Sequence, residues 1–559
     1  MNKKLLLFLI TVLSASYVCA QSNYAPLGGL TYDFMDRAEI KSGRFLTNIH
    51  TSSKPYLRED IVNSMTGMDT ASGKTIWTKI DGANFNWLHT DNNDFSSKSD
   101  LYNSKKPLLG ILYRNKANLY SNNSDDFSVR VDPVINFGYG NERDSESGTK
   151  FQNIRGVEVR GTISRKLGFY FYAGENQMRP ADYVRNYIDP RSGIPNAGYY
   201  KAFKETGYDY FNGRGNINFK ALKPITLTFG VDRNFIGNGY RSLFLSDFSN
   251  DYLFLKIQTK VWRINYTNLF IQGIENYEFN KGDDLLPKRF ASMHHLSTNI
   301  SKWLNIGLFE GVIFSRTSGY ELQYLNPIIF FRAAEQQLGS PDNSVMGIDY
   351  KVNALKHLQW YGQFLIDDLS IANARENNGW WGNKWGIQTG LKYIDAFFIK
   401  NLDLQIEANM VRPYTYTHHD SITDYTNYNL PFAHPLGANF REFVGVVRYQ
   451  PIKNLFVQLR AINYLFGADE PGKLWGGNIR MPSAEQTIVA SFGNKIGQGV
   501  PINVTSLFFT ISYQMRHNLF ADFNMVVRRS ENGKTAEVTN TNLMMFNIRW
   551  NFPTRFYDF

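Results

Sequence analysis

The 559-residue sequence holds a single cysteine, Cys19. That cysteine sits inside an N-terminal leader. In "MNKKLLLFLITVLSASYVCAQS", Lys3 and Lys4 precede an apolar run to about Ser14, and Val18 and Ala20 are small. This is the pattern of a secretory signal peptide, residues 1–20, cleaved after Ala20. The run is too short for a retained membrane anchor, and Val18 before Cys19 fits a lipoprotein site poorly. The mature chain then has no cysteine, which excludes disulfides, thiolate catalysis and cysteine metal sites. Beyond the leader no apolar run reaches the length of a transmembrane helix. No block of Lys and Arg accompanies the net charge of +10, so nucleic acid is not expected as a partner. The acidic run "DNNDFSSKSD" at 91–100 lacks the glycine and bidentate glutamate of a calcium loop, and no metal or other cofactor is expected.

What the sequence has in excess is aromatics, at 15%, with 42 Phe and 33 Tyr against 10 Trp. They alternate with polar residues. In "MMFNIRWNF", Met544, Phe546, Ile548, Trp550 and Phe552 share one face, and Asn547, Arg549 and Asn551 the other. Residues 504–516 and 518–529 repeat the pattern across a two-residue connection, His517-Asn518, while Asn532-Gly533 suits a tight reversal. Residues 225–231 and 402–410 alternate likewise. Further runs begin near 127, 154, 169, 214, 251, 262, 290, 303, 345, 358, 384, 441 and 454, for about eighteen in all. Asp132, Glu158, Arg160, Asp232, Glu407, Arg460, Arg528 and Arg549 all fall opposite the aromatics. Such charges are costly toward lipid and cheap toward a wet lumen. The fold class expected is all-β: a transmembrane antiparallel β-barrel of about 18 strands, residues 106–559, in the outer membrane and in contact with its lipids. Residues 21–105 show helical spacing and are expected to form a partly helical region at the periplasmic mouth or plugging the barrel. The chain's last residue, Phe559, lies close to the final strand, as in barrels of this class. Three long loops, 177–211, 412–439 and 466–499, are rich in Tyr, Asn, Asp, Gly and Pro and are expected outside the cell.

Several stretches invite chemistry. "RNFIGNGYRSLFLSD" (233–247) has a Gly-Asn-Gly triplet, but it follows a strand and no helix comes after, so it cannot cradle phosphate at a helix N-terminus. It reads as a corner that places Tyr240 and Arg241 at a mouth or in the lumen. His295, Ser297 and Asn299 share a strand face, as a nucleophile and its base might be arranged. Leu296 and Ile300 occupy the opposite face, so the set points to the lumen rather than to a lipid ester. His418-His419 sits in a loop with Asp420 and Asp424, without a third histidine near. "YLNPIIFF" (324–331) carries a proline that an ordinary lipid-facing strand would not, and it is expected to bend inward or join a loop plug. Glu310 and Glu321 precede it, Asn326 lies within it and Arg332 follows. Asp367 and Asp368 end a strand, on opposite sides, and so do not make a paired-carboxylate site. Asp232, Tyr240, Arg241, Glu310, Glu321, Asn326, Arg332, Asp367 and Asp368 are the candidate ligand-binding residues of the lumen and mouth.

The order of these pieces is similar to that of a known family. "KPYLREDI", "RVDPVINFGYG", "DRNFIGNGYRSLFLSD", "MHHLSTNISKWLNIGLFEGVIF", "YLNPIIFF", "YGQFLIDD" and "GIQTGLKY" occur in sequence from about residue 30 onward. Together they resemble the Wzi-like capsule assembly proteins, outer-membrane β-barrels whose relatives include gliding-motility members. The resemblance implies an eighteen-stranded barrel with a helical periplasmic part, no enzymatic activity, and a lectin-like hold on surface polysaccharide. It makes cell-surface or motility proteins candidate partners. Two other readings stay open: a porin or transport channel, allowed by the inward charges, and an outer-membrane lipid hydrolase built on Ser297.

Overall fold

The computed structural model describes residues 22–71, 77–145, 147–164, 166–275, 285–317, 319–328, 330–339 and 342–559. The expected signal peptide lies outside the described residues. Eighteen long strands among those described close a barrel: β1 Phe127–Glu142, β2 Lys150–Ile163, β3 Leu167–Arg179, β4 Gly207–Leu222, β5 Ile225–Asp232, β6 Tyr252–Val261, β7 Ile264–Ile274, β8 Lys288–Asn299, β9 Leu304–Phe314, β10 Asn343–Ala354, β11 Leu358–Asp368, β12 Lys384–Tyr393, β13 Leu402–Val411, β14 Phe440–Ile452, β15 Leu455–Ala468, β16 Val500–Arg516, β17 Leu519–Asn532 and β18 Val538–Trp550. Each pairs antiparallel with the next. β18 returns to β1, Phe546 opposite Tyr139, so the sheet has no free edge. The short strand Tyr120–Asn123 continues this seam along β1.

Period-two alternation sets the two faces. Phe546, Phe443 and Phe211 are exposed on the outside, whereas Arg460 is 1% exposed within. Facing a bilayer, such an outer surface meets hydrocarbon while the charges stay in the lumen. The two ends of the barrel differ. At one, the turns are as short as Trp262-Arg263, Lys453-Asn454 and His517-Asn518. At the other lie the long loops.

The lumen is filled from both ends. Near the short turns sit α1 Leu30–Ser42, α2 Arg58–Ala71 and α3 Lys79–Asp91. Thr78 and Asp81 start α3 with a reciprocal capping box, and Gly43 ends α1 in the left-handed conformation. The helices share an apolar core that includes Phe34, Met35, Ile61 and Leu88. Ion pairs fix them to the barrel: Asp36 to Lys392 at 2.6 Å, Glu39 to Lys351 at 2.6 Å, and Arg37 to Asp395 at 2.5 Å. From the long-loop end, the corner 233–251 and the loop 412–439 fold inward. Leu243, Phe244 and Leu245 pack with Tyr416, Tyr425 and Phe432 against inward residues of β6–β14, giving a hydrophobic core inside the barrel.

Two expectations are corrected. Tyr324–Phe331 does not bend inward. It lies on the outer wall, because Glu310 and His294 share their strand faces with the exposed Leu308 and Leu296 and meet Phe331 there. Phe559 does not follow directly on the last strand in the wall but lies inside the barrel, in a cluster with Leu543 of β18. Asn551, with φ 53°, turns the chain, and residues 551–559 climb the lumen until the Phe559 ring packs, tilted, 4.1 Å from that of Tyr187.

Candidate functional site

The corner after β5 is built on close approach. Gly237 has φ 146°, and a Cβ on Gly239 would lie 2.6 Å from Glu407 Oε2 and 2.8 Å from Gln388 Oε1. With glycine there, the N–H groups of Tyr240 and Arg241 donate to the two oxygens of Glu407 at 2.7 and 3.0 Å. The glycine stretch does bind an anion, and the anion is the protein's own carboxylate. Arg241 then reaches Asp558 Oδ1 at 2.9 Å and Glu442 Oε1 at 3.1 Å. Asp558 also meets Arg460 at 3.1 Å and the Tyr240 hydroxyl. Glu442 takes His434 Nε2 at 2.7 Å, and burial holds that imidazole below its ordinary value against the pull of Glu442. Two arginines thus share two buried carboxylates, Asp558 and Glu442, while backbone N–H groups hold the third, Glu407; each carboxylate is bonded more than once, which offsets the cost of removing it from water.

Tyr240 and Arg241 are therefore occupied internally. Asp232 faces the lumen, 3.6 Å from Arg214, with Asn216 also in contact. Asp367 turns inward and accepts from the Tyr416 N–H at 2.6 Å, whereas Asp368 is exposed beyond a bulge. Glu310, Glu321, Asn326 and Arg332 are not lumen residues. Glu310 accepts from the Phe331 N–H on the outer wall, Glu321 lies 3.7 Å from Arg316, Asn326 caps the Ile328 N–H, and Arg332 pairs with Glu335. The nine candidates do not converge.

His295 and Ser297 face the lumen but address different partners. His295 bonds Asp349 at 2.7 Å, and Ser297 meets Asn305 and His50. The rings of His418 and His419 lie 4.0 Å apart and tilted, and burial, then His419 and Lys384, lower His418 to about 4. No group of three metal-ligating residues occurs among the described residues.

Between the helical floor and the corner lies a cavity of about 400 Å³, whose lining includes Asp36, Arg37, Lys54, Arg448, Arg555 and Phe556. Burial depresses the Lys54 ammonium against the pull of Asp36. Asp36 is itself held low, because Lys392 and Lys54 outweigh its desolvation.

A second surface escaped sequence reading. The loop 369–383 joins the loop 469–499 at the far end: Trp381 N–H donates to Ser491 O at 3.0 Å, and Gly493 N–H to Asn378 O at 2.9 Å. This sets half-buried Trp380 and exposed Phe492 on neighbouring loop segments, beside the amides of Asn373 and Asn378 and the carboxylate of Glu376. The one available signal was a Trp-Trp pair in an asparagine-rich loop.

No family model matches the sequence, and no curated protein does. Among solved structures, the whole chain resembles Wzi. That protein of Escherichia coli is described as an outer membrane protein involved in Group 1 capsule assembly and a carbohydrate binding β-barrel. The likeness covers 96% of this chain and 100% of Wzi, with a TM-score of 0.58 and 13% identity. OprD of Pseudomonas aeruginosa aligns over 76% of this chain and 93% of its own, at 11% identity and a TM-score of 0.40. OccAB2 of Acinetobacter baumannii aligns over 76% and 98%, at 9% and 0.42. Agreement that loose bears no weight. With its apolar outer face, full closure and the Wzi-like architecture, the chain is an outer-membrane β-barrel.

Proposed function

We propose that this protein binds extracellular polysaccharide through its loop roof and holds it at the cell surface, without catalysis. The observation that carries the reading is the packed lumen. A core around Phe244 and Tyr425 fills the long-loop half, and helices fill the other, so a polymer outside the cell meets a rigid roof rather than a pore. The likeness to a carbohydrate binding barrel over its full length supports the same reading. Trp380 and Phe492 offer flat apolar faces, and Asn373, Asn378 and Glu376 offer the planar polar groups that hydrogen-bond hydroxyls. The short-turn end faces the periplasm, by the rule that barrel turns there are short, and the helical region then closes the periplasmic mouth. Retained slime or capsule would serve adhesion or gliding, with motility proteins as partners.

Against a lipid hydrolase, His295 and Ser297 face away from the bilayer and bond to separate partners. The test is deletion of the gene followed by measurement of polysaccharide released into the medium. Release is expected, and a Trp380→Ala/Phe492→Ala double variant should restore the barrel but not retention. Full retention by the deletion strain would sink the reading. A transport channel is the second reading, favoured by the charged cavity of about 400 Å³. A large steady conductance of the intact protein in planar bilayers would favour it over anchoring.

A further inference from the structure

Residues 319–328 and 330–338 are fastened to the outside of the barrel. Tyr320, Tyr324, Phe331 and Ala334 pack on Phe290, Val312 and Phe314, outward residues of β8 and β9. Ser292 donates to Tyr324 O at 2.9 Å, and the Tyr324 hydroxyl donates to Asp342 at 2.8 Å. Arg316 grips both oxygens of the same Asp342, at 2.8 and 2.6 Å. Among the described residues, Leu322 at 74%, Ile328 at 86% and Phe330 at 70% exposed stand uncovered on the segment, beside exposed polar groups of Gln323, Asn326 and Arg332. In water this would be a sticky patch. It stands at the long-loop end of a wall that elsewhere faces hydrocarbon.

Beside the segment runs a groove of about 670 Å³. Its floor is Phe229, Leu253, Leu255 and Phe270, which belong to the outward face of β5–β7, and its side wall is Tyr320 and Leu325. The volume is that of a small-molecule site. Lys288 and Arg316 stand at the rim, but Asp342 and Glu321 already engage Arg316. The floor is continuous with the lipid-facing surface, so among the described residues it is open to the bilayer.

We propose that this groove binds one acyl chain of an outer-leaflet lipid, with the segment 319–338 as its clamp. Recognition is of the chain, because the floor is apolar and the Arg316 guanidinium at the rim is already paired with Asp342 and Glu321. The Asn-Pro in "YLNPIIFF" serves to keep this stretch out of the β-ladder and laid across the wall.

The test uses the full-length protein in detergent, stripped of lipid and then incubated separately with dipalmitoyl phosphatidylcholine and with a phosphorylated, acylated glucosamine disaccharide. Retained lipid is counted by native mass spectrometry, and folding is checked by heat-modifiable mobility. Wild type should keep one lipid of either kind. Leu255→Trp, which fills the floor, should keep at least fivefold less, as should Leu325→Arg in the external segment. Phe546→Trp, elsewhere on the same outer wall, should match wild type. The proposal is overturned if wild type keeps no lipid, if both groove variants keep as much as wild type, or if only the phosphorylated lipid is retained.

Discussion

The guanidinium of Arg241 takes hold of Asp558 twice, at the carboxylate and at the backbone carbonyl, 2.9 and 2.6 Å away. This ties a corner in mid-chain to the penultimate residue. Asp558→Ala would leave Arg241 and Arg460 short of a buried partner. Breaking a buried pair costs about 3–5 kcal/mol. The variant should unfold at clearly lower temperature by heat-modifiable mobility, and a wild-type transition would refute the role given to the tail.

Gly239→Ala should act through Glu407. The new Cβ would sit 2.6 Å from Oε2 and push the carboxylate off the N–H groups of Tyr240 and Arg241. A hydrogen bond to a charged group contributes about 1.5–3 kcal/mol, so a loss of that order is expected in urea unfolding. Adding Glu407→Asp, which shortens the side chain, should recover part of it.

Acid should release the helical floor. Asp395, in the turn between β12 and β13, is raised by burial, but Arg37 and Lys41 outweigh this and lower it from 3.8 to about 2. A carboxyl held low in the folded state stabilises above its unfolded pKa, and the effect is lost as pH falls from about 4 toward 2. Pepsin should therefore cleave within residues 22–118 at pH 2 but not at pH 4. Asp395→Asn should already be cleaved at pH 4; equal resistance of the two proteins would contradict the assignment.

The packed lumen predicts little steady conductance from the intact protein. Replacing 412–439 with a short Gly-Ser linker removes Tyr416, Tyr425 and Phe432 from the inner core and should give resolvable open steps. Equal conductance before and after would show that this loop does not close the barrel.

Phe331→Ala should detach the external segment. Phe331 is 1% exposed, 4.0 Å from the His294 ring. Removing a buried Phe side chain costs about 3–5 kcal/mol, more than a surface segment can readily absorb. Added protease should then cut intact cells' protein between 315 and 342, leaving the barrel folded. Resistance equal to wild type would count against the external placement.

The position of Glu310 shows how far local pattern carries. It was expected in the lumen, yet its parity is that of Ile306 and Leu308, which face outward. Parity decides, and the external segment around Phe331 covers the carboxylate from outside. Asp367 and Asp368 were separable by parity as well. Tyr240 and Arg241 were legible as a corner, but not as residues already committed, since Glu407 and Glu442 lie 166 and 201 residues from Arg241.

By itself the sequence determined the barrel. The runs that alternate became β1–β18, with the polar face in the lumen and His517-Asn518 as a short turn. Period two is a property of each strand alone, imposed by a wall with lipid on one side and a lumen on the other. The tertiary structure decided what occupies the inside and the outside of that wall. The loop 412–439 and residues 551–559 turned in, and 319–338 turned out. Nothing in their composition separates these paths, because each is fixed by partners far along the chain, as Asp558 is by Arg241 across 317 residues.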